Sequence, residues 1–573
     1  MKNNLDTIRH SAAHLLAVAV KNLYPKTSLG IGPVIENGFY YDFDSTHTFS
    51  EDDFLKIEKA VNRTIKEKVP FQRIEKNISD ALTIINQQKE PYKKELILDL
   101  KRKGEKKVSF YKTGGFIDLC TGPHVKNTGE IGVVKLLSVA GAYWKGNENN
   151  KMLQRIYGTA WNTKNELEVY LKNIEEIKKR DHKKIGAELE LFTFLPVAPG
   201  MPFWYPKGFT LVEQLKKFVR DINKKYNYRE ISTPLLAKKE VWETSGHWKL
   251  FKKNMFVFKQ ENQTYSLKPM NCPQTLLLFN TKKHSYKELP LKLSDLDILH
   301  RFEESGTLNG LFRVRELSQD DAHILCTPEQ IEEVVEELLD IVNYTYSTFG
   351  FKPSFFLANK PDKALGDAKN WALAEARLKK ILERKDIEYK LKEGEGSFYG
   401  PKVDLHIDDA LGRNWQLATI QLDYQMPKRF NSKYTDKSGR EQQIVMVHRA
   451  ILGAFERFLG ILIEHYNGAF PTWLSPVQVV IIPIADRHVE YAEKIEKYFT
   501  KKNIRVEVNS RSETMQARLR DAELQKVPYM IILGDKEKVR NKLSVRSRKK
   551  GDEGVKSIEA FVQQLDKEIS EYK

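Results

Sequence analysis

Apolar positions along this 573-residue chain change their spacing from one stretch to the next, and each change predicts a different element. Residues 1–161 mix helical and strand patterns and read as one domain. In the charged segment after Trp161, Leu167, Leu171, Ile174 and Ile177 recur at helical intervals. That spacing predicts a connecting helix over 162–184 with a single apolar stripe and Asn162 or Thr163 as its N-cap. VAPGMPFWYPKG, rich in proline and glycine, opens the next domain, 185–473. Beyond PTWLSP the pattern changes again. VQVVIIPI reads as a buried strand, YAEKIEKYFTKKN as an amphipathic helix, and IRVEVNS and YMIILGD as strands around a further helix. This predicts an α/β domain over 474–573. No internal repeat or low-complexity tract interrupts the order.

The densest chemistry lies at 300–324, HRFEESGTLNGLFRVRELSQDDAHI. Apolar residues alternate unevenly with Arg301, Glu303, Arg313, Arg315, Glu316, Gln319, Asp320, Asp321 and His323, and SGTLNG reads as the loop of an antiparallel hairpin. Charge concentrated on one face makes a poor core element, because unpaired buried charge is costly. It makes a good platform for phosphate and carboxylate, which the planar guanidinium fork grips with two hydrogen bonds.

Composition narrows the setting. Three cysteines, Cys120, Cys272 and Cys326, argue against a disulfide framework and fit a reducing, cytoplasmic compartment. No apolar run is long enough to span a bilayer, and MKNNLDTIRHSAAHLLAVAV lacks the form of a signal sequence, so no membrane association is expected. A net charge of +17 points toward a polyanionic partner, although a lysine-rich surface alone would give the same figure. His10 and His14 share one helix face at i, i+4, and Cys120 and His124 repeat that spacing in CTGPH. Taken alone, these four groups suggest a zinc site or a metallohydrolase, but HSAAH lacks the internal glutamate of a zinc-protease helix. The separations between Cys272, His323 and His448 are too long for spacing to mark a metal site, and by themselves they read as a buried thiol and two unrelated histidines.

Arg301-Phe302-Glu303, its loop and Arg313 resemble motif 2 of class II aminoacyl-tRNA synthetases, and LSQDDAHI resembles the threonyl-tRNA synthetase family. HSAAH, CTGPH, GAYWKGNENNKMLQRIYGTAW, MNCP, GEGSFYGPKVD and HRAILGAFERFLG extend the resemblance over nearly the whole chain. It implies a multidomain α+β and α/β fold. An α+β editing domain would occupy 1–161 and a linker helix 162–184. A class II antiparallel sheet with flanking helices would occupy 185–473, and an α/β anticodon-binding domain 474–573. It implies a homodimer built through FTLVEQLKKFVRDI and YREISTPLL, acting on ATP with Mg²⁺, L-threonine and tRNA(Thr). Arg301, Glu303, Arg313 and Arg457 would act on ATP, with Arg301 also holding the amino-acid carboxylate. Cys272, His323 and His448 would hold one Zn²⁺ per subunit, with Asp321, Gln319, Tyr399, Lys402 and Gln421 completing the threonine pocket. His10, His14, Lys93, Cys120 and His124 would hydrolyse mischarged seryl-tRNA, often without metal, Lys94 being the rival of Lys93 for its place. Ser512, Glu537 and Arg546 would meet the anticodon, Ser512 standing where the family often has asparagine. Many bacterial relatives begin with a small ubiquitin-like domain, which is expected to be missing here. The alternatives are a synthetase for another amino acid such as proline, which the three metal-site residues oppose, and a catalytically inactive RNA-binding relative, which the retained arginine set opposes.

Overall fold

The computed structural model describes residues 5–147, 149–409 and 412–573, so Glu148 of the GAYWKGNENN motif lies outside the described residues. The chain divides into two compact units, Met1–Glu175 and Glu176–Lys573. No described helix is long and apolar enough to cross a membrane.

In the first unit, helix Leu5–Leu23 buries Ile8, Ala12, Leu15, Leu16 and Ala19. They pack with Phe39, Phe43 and Ile156 of a five-stranded sheet built from Ser28–Leu29, Val34–Ile35, Gly38–Asp44, Met152–Trp161 and Val133–Tyr143. The small residues of HSAAH give this helix a flat flank: Ala12 and Ala13 are buried, and His10 and His14 project one turn apart, as the spacing predicts. A second sheet, Phe71–Asn77, Lys107–Thr113 and Phe116–Leu119, ends at Cys120, and the coil that follows carries His124. Helix Pro91–Arg102 brings in Lys93.

The connecting helix runs over Lys164–Lys179 and begins with a reciprocal cap. Thr163 Oγ1 accepts the Glu166 N–H at 3.2 Å, and Glu166 Oε2 accepts the Thr163 N–H at 3.1 Å. The helix does not continue to Lys184 as its stripe suggests. The Asp181 side chain accepts the Lys183 N–H at 2.7 Å and starts a separate helix, His182–Glu188. Aspartate favours this N-cap role over a helix interior because its side chain competes for backbone N–H groups.

The second unit is built on a nine-stranded sheet. Its order is Arg229–Ile231, Leu291–Asp295, Glu316–Cys326, Val445–Ala454, Asn414–Asp423, Lys402–Asp408, Pro353–Ala358 and Tyr389–Lys392, with Ile298–His300 also paired to Glu316–Cys326. Pairing is antiparallel except at the two outermost pairs. Alternation divides the central strand Glu316–Cys326 between two environments. Ala322, Ile324 and Cys326 join a large core with helices Pro206–Lys225, Ile331–Thr348 and Phe455–Tyr466, whereas Leu325 packs on the other face with Cys272, Tyr399 and Met446. The hairpin expected over 300–324 has its first strand earlier, at Ile298–His300, and residues 301–315 form a loop with two short 3₁₀ turns.

The charge of that segment is also not confined to one face. Asp320 points into the helix-covered core, where it accepts the N–H groups of Ile451 at 2.8 Å and Leu452 at 3.1 Å and pairs with buried Arg449 at 3.2 Å. These N–H groups are freed where the ladder to Val445–Ala454 shifts register between Gln319 and Asp321. Glu456 answers from the other chain segment, taking the Ser318 N–H at 3.1 Å. Burial pushes both carboxyls up to about 7.

The C-terminal sheet has parallel strands Val506–Val508, Val479–Pro483 and Tyr529–Leu533, followed by antiparallel Lys542–Ser547 and Gly551–Ser557. Its core of Val479, Ile481, Phe499 and Phe561 matches the α/β pattern of the sequence.

Asp320→Ala strands two backbone donors and removes the carboxylate that pairs with the buried Arg449 guanidinium, and should destabilise this unit by about 3–5 kcal/mol in urea unfolding. A loss below about 1 kcal/mol would contradict the role given to the carboxylate.

Candidate active site

Strand register brings the distant histidines together. His323 lies opposite His448 across the central pair, their ring centres 5.0 Å apart, and helix Cys272–Phe279 presents its first residue beside them. One donor atom from each of Cys272, His323 and His448 falls within 4.8 Å of the others, and all three residues are buried. Their hydrogen bonds fix which atoms are free. His448 Nε2 faces Asp423 Oδ2 at 3.1 Å, so it carries the proton and leaves the Nδ1 lone pair open. Thr275 Oγ1 gives its proton to the Asn271 carbonyl and lies 3.5 Å from His323 Nδ1, an arrangement that leaves the His323 Nε2 lone pair open. Burial lowers His323 to about 4 and, with Asp321 and Asp423 adding to it, pushes the Cys272 thiol well above its usual value. A thiol and two imidazole lone pairs, one ring backed by the Asp423 carboxylate and the other by the Thr275 hydroxyl, are the donor set of a zinc site, where the cation itself would draw the proton from sulfur.

The neighbouring strands surround this set with polar groups. Asn271, next to Cys272, donates to Asp321 Oδ2 at 3.0 Å. Gln421 lies in register with His448 on one side and Lys402 on the other. It accepts the Tyr399 hydroxyl, while the Tyr399 ring lies 4.9 Å from that of His448. Lys402 is held by buried Asp404 at 2.7 Å. Fully buried His247 lies in the same region, 3.0 Å from Met270 and lowered to about 3 by burial and by the charge of Arg301.

At the open end of the central strand a cavity of about 330 Å³ is lined by Arg301, Glu303, Phe312, Arg313, Gln319 and Arg457. Arg313 Nη2 pairs with Glu303 at 2.8 Å, and Arg301 donates to the Pro269 carbonyl at 3.2 Å. Burial lowers Arg301, and burial together with Arg313 lowers Arg457, whose Nε has no protein partner. Desolvated guanidiniums of this kind are stabilised by an anion. Arg315, by contrast, is used structurally: it donates to the Glu303 carbonyl at 2.9 Å and lies over Phe302.

In the first unit His10, Cys120 and His124 converge, while His14 packs between Phe71 and Phe116 behind them. His10 Nδ1 can only donate to the Pro123 carbonyl, at 3.2 Å. Ser11 spends its proton on the Thr7 carbonyl, so His124 Nδ1, 3.1 Å from Ser11 Oγ, must donate as well. Both Nε2 lone pairs therefore face Cys120 Sγ, at 3.3 and 3.2 Å. One thiol proton cannot serve two acceptors, so one imidazole is left as a free base. Lys93, not exposed Lys94, reaches this cleft, bonded to Asp118 at 2.9 Å and to the Tyr41 hydroxyl at 3.0 Å. The cleft measures about 1010 Å³. In the C-terminal domain, Ser512 is exposed, Glu537 accepts the Gly534 N–H at 3.0 Å, and Arg546 lies 3.5 Å from Glu523.

Three family models match in chain order: the second additional domain of threonyl and alanyl tRNA synthetases at 108–157, the class II tRNA synthetase core (G, H, P, S and T) at 256–466, and an anticodon binding domain at 478–568. The threonine–tRNA ligase of Clostridium tetani is 50% identical over 563 residues, covering 98% of this chain and 88% of that one. The chain belongs to the threonyl-tRNA synthetase family. The Clostridium novyi threonine–tRNA ligase is 49% identical, over 99% of this chain and 88% of its own. The crystal structure of the RNA binding domain of a threonyl-tRNA synthetase from Cryptosporidium parvum superposes with a TM-score of 0.66 at 39% identity, covering 68% of this chain and 98% of that one.

Within this synthetase fold, several groups at the sites escape a reading of motifs. Asp118 stands two residues before Cys120, and that adjacency was its only signal, while Asn271 lies within MNCP without a role of its own being read there. Asp404 closes GEGSFYGPKVD and Asp423 stands two residues after Gln421, whereas Tyr41 and His247 gave no signal, because folding alone brings them in.

Burial lowers His14 to about 4 and His124 to about 2. Above pH 6.5 these rings are neutral both folded and unfolded. As pH falls below that value the unfolded chain takes up protons that the fold refuses, and stability is lost down to the folded values. The thermal midpoint of the first unit should therefore drop between pH 7 and pH 5, and drop less in H14Q. An equal or steeper drop in H14Q would contradict the assignment.

Proposed function

We propose that the chain activates L-threonine with ATP, transfers it to tRNA(Thr), and hydrolyses seryl-tRNA formed by error. The observation that carries this reading is the meeting of a metal donor set, Asp321 and an arginine-lined anion cavity on one face of one sheet.

In the first step a threonine carboxylate oxygen attacks the α-phosphorus of Mg²⁺-bound ATP, and the bond to pyrophosphate breaks. Arg301 holds the α-phosphate and the carboxylate, Glu303 the adenine end, Arg313 the γ-phosphate, and Arg457 forms the second clamp. Preorganised positive charge stabilises the charge that develops. Asn271 holds one Asp321 oxygen, leaving the other to accept the substrate hydroxyl proton. Gln319, Tyr399, Lys402 and Gln421 complete the pocket. Zinc held by Cys272, His323 and His448 would supply a site for the amino and hydroxyl groups together, which valine cannot fill. In the second step the terminal ribose hydroxyl of the tRNA attacks the carbonyl carbon, and AMP leaves.

Serine lacks only a methyl group, worth roughly 1–3 kcal/mol, so a second sieve is required. In the N-terminal cleft the His10 imidazole takes a proton from the water that attacks the ester carbonyl, the bond to the tRNA ribose oxygen breaks and that oxygen leaves with the proton, with His124, Lys93, Cys120 and His14 around the site. This assigns editing to 1–161, a linker to 162–184, synthesis to 185–473, and anticodon recognition by Ser512, Glu537 and Arg546 to 474–573. Exposed Phe209, Leu235 and Leu236 supply apolar surface for a homodimer.

Amino-acid-dependent ATP–pyrophosphate exchange tests the reading. Zinc-replete protein should exchange strongly with threonine, more weakly with serine, and hardly with valine or proline. No exchange with any of the four would overturn the proposal.

A further inference from the structure

Asp181, His182 and Glu464 bring carboxylate oxygens and an imidazole nitrogen within 4.8 Å of one another, which looks like a third metal site. Hydrogen bonding excludes that. The Leu311 N–H donates to His182 Nε2 at 3.0 Å, so the lone pair there is used and the ring proton sits on Nδ1. Nδ1 donates in turn to Glu464 Oε1 at 2.7 Å, and the His182 backbone N–H reaches the same oxygen at 3.0 Å. No ring nitrogen remains for a cation. The second Glu464 oxygen takes Arg413, which also holds Asp409 at 2.7 Å.

This buried network ends at the anion cavity. The His182 ring packs on Phe312 with centres 4.1 Å apart, Phe312 lies 4.5 Å from Trp415, and the Arg457 guanidinium sits over Trp415 at 5.5 Å. Leu311, Phe312 and Arg457 all line the cavity. The loop approaches the ring so closely only because residue 310 is glycine. Gly310 has φ +50°, and a Cβ there would lie 2.2 Å from His182 Nε2.

We propose that His182 is a positioning residue for ATP. Its imidazole joins helix Phe455–Tyr466, which carries Arg457, to the loop that carries Phe312 and Arg313, and so sets the spacing of the two phosphate-binding arginines. The segment that the sequence marks as a connector thus supplies a strut of the nucleotide cavity. The inference rests on the ligase reading for its reaction but can be tested by binding alone.

The test is titration of Mg-ATP into full-length, zinc-replete protein, alongside threonine-dependent exchange. H182N keeps a donor for Glu464 but cannot reach the Leu311 N–H, whereas H182Q places an amide oxygen near the Nε2 position. G310A strikes the same contact from the loop side. H182N and G310A should each weaken ATP by about tenfold while the threonine KM stays within about twofold, and H182Q should recover most of the loss. An unchanged ATP Kd in H182N and G310A, parallel losses for ATP and threonine, or an H182Q as weak as H182N would overturn the proposal. Absence of exchange by the unsubstituted protein would instead sink the ligase reading, and the ATP titrations would still decide the role of His182.

Discussion

The pairing of Glu316–Cys326 with Val445–Ala454 is the constraint on which the second unit depends. Its register sets His323 against His448, and because side chains alternate between faces, a slip of one strand by one residue would turn its histidine to the opposite face and away from the other. The same pair must also open at Gln319 to make room for the arginine-lined cavity. Opening a buried ladder strands backbone N–H groups, and two carboxylates answer for them from opposite sides: Asp320 for Ile451 and Leu452, Glu456 for Ser318. Pocket and cavity can adjoin because the split between the strands is hydrogen-bonded.

Desolvation is the second theme, and it acts in opposite senses at different groups. At His323 and in the His10–Cys120–His124 cluster, burial disfavours the protonated ring and leaves lone pairs that a cation or a hydrogen-bond donor can meet. At Arg301 and Arg457 the group stays charged, and burial leaves guanidinium donors that an anion would satisfy. The sites differ in chemistry but share the means of making a group reactive.

How much of this is legible in the sequence depends on the range of the interaction. Local periodicity predicts the helix that carries His10 and His14, the buried strand Val479–Pro483, and the start of the connecting helix. Periodicity fails where a side chain competes with the backbone, as at Asp181, which ends the apolar stripe before Lys184. Ordered motifs point to the arginine set and to Cys272, His323 and His448, which no spacing rule would have joined. Asp423 and His182 stayed hidden because their partners are distant in sequence; Asp423 and His448 are 25 residues apart, and His182 and Glu464 are 282 apart. Nor does a strand of mixed charge reveal which of its charges is buried. Asp320 and Asp321 are neighbours, yet one supports the core and the other faces the pocket.

The central claim is that Cys272, His323 and His448 form one cation site. X-ray absorption at the zinc edge, on protein purified with zinc, tests it most directly. One sulfur at about 2.3 Å and two imidazole nitrogens at about 2.0–2.1 Å, with the sulfur lost in C272S, is the expected result. A zinc ion with no sulfur neighbour, or a spectrum that C272S leaves unchanged, would contradict the account.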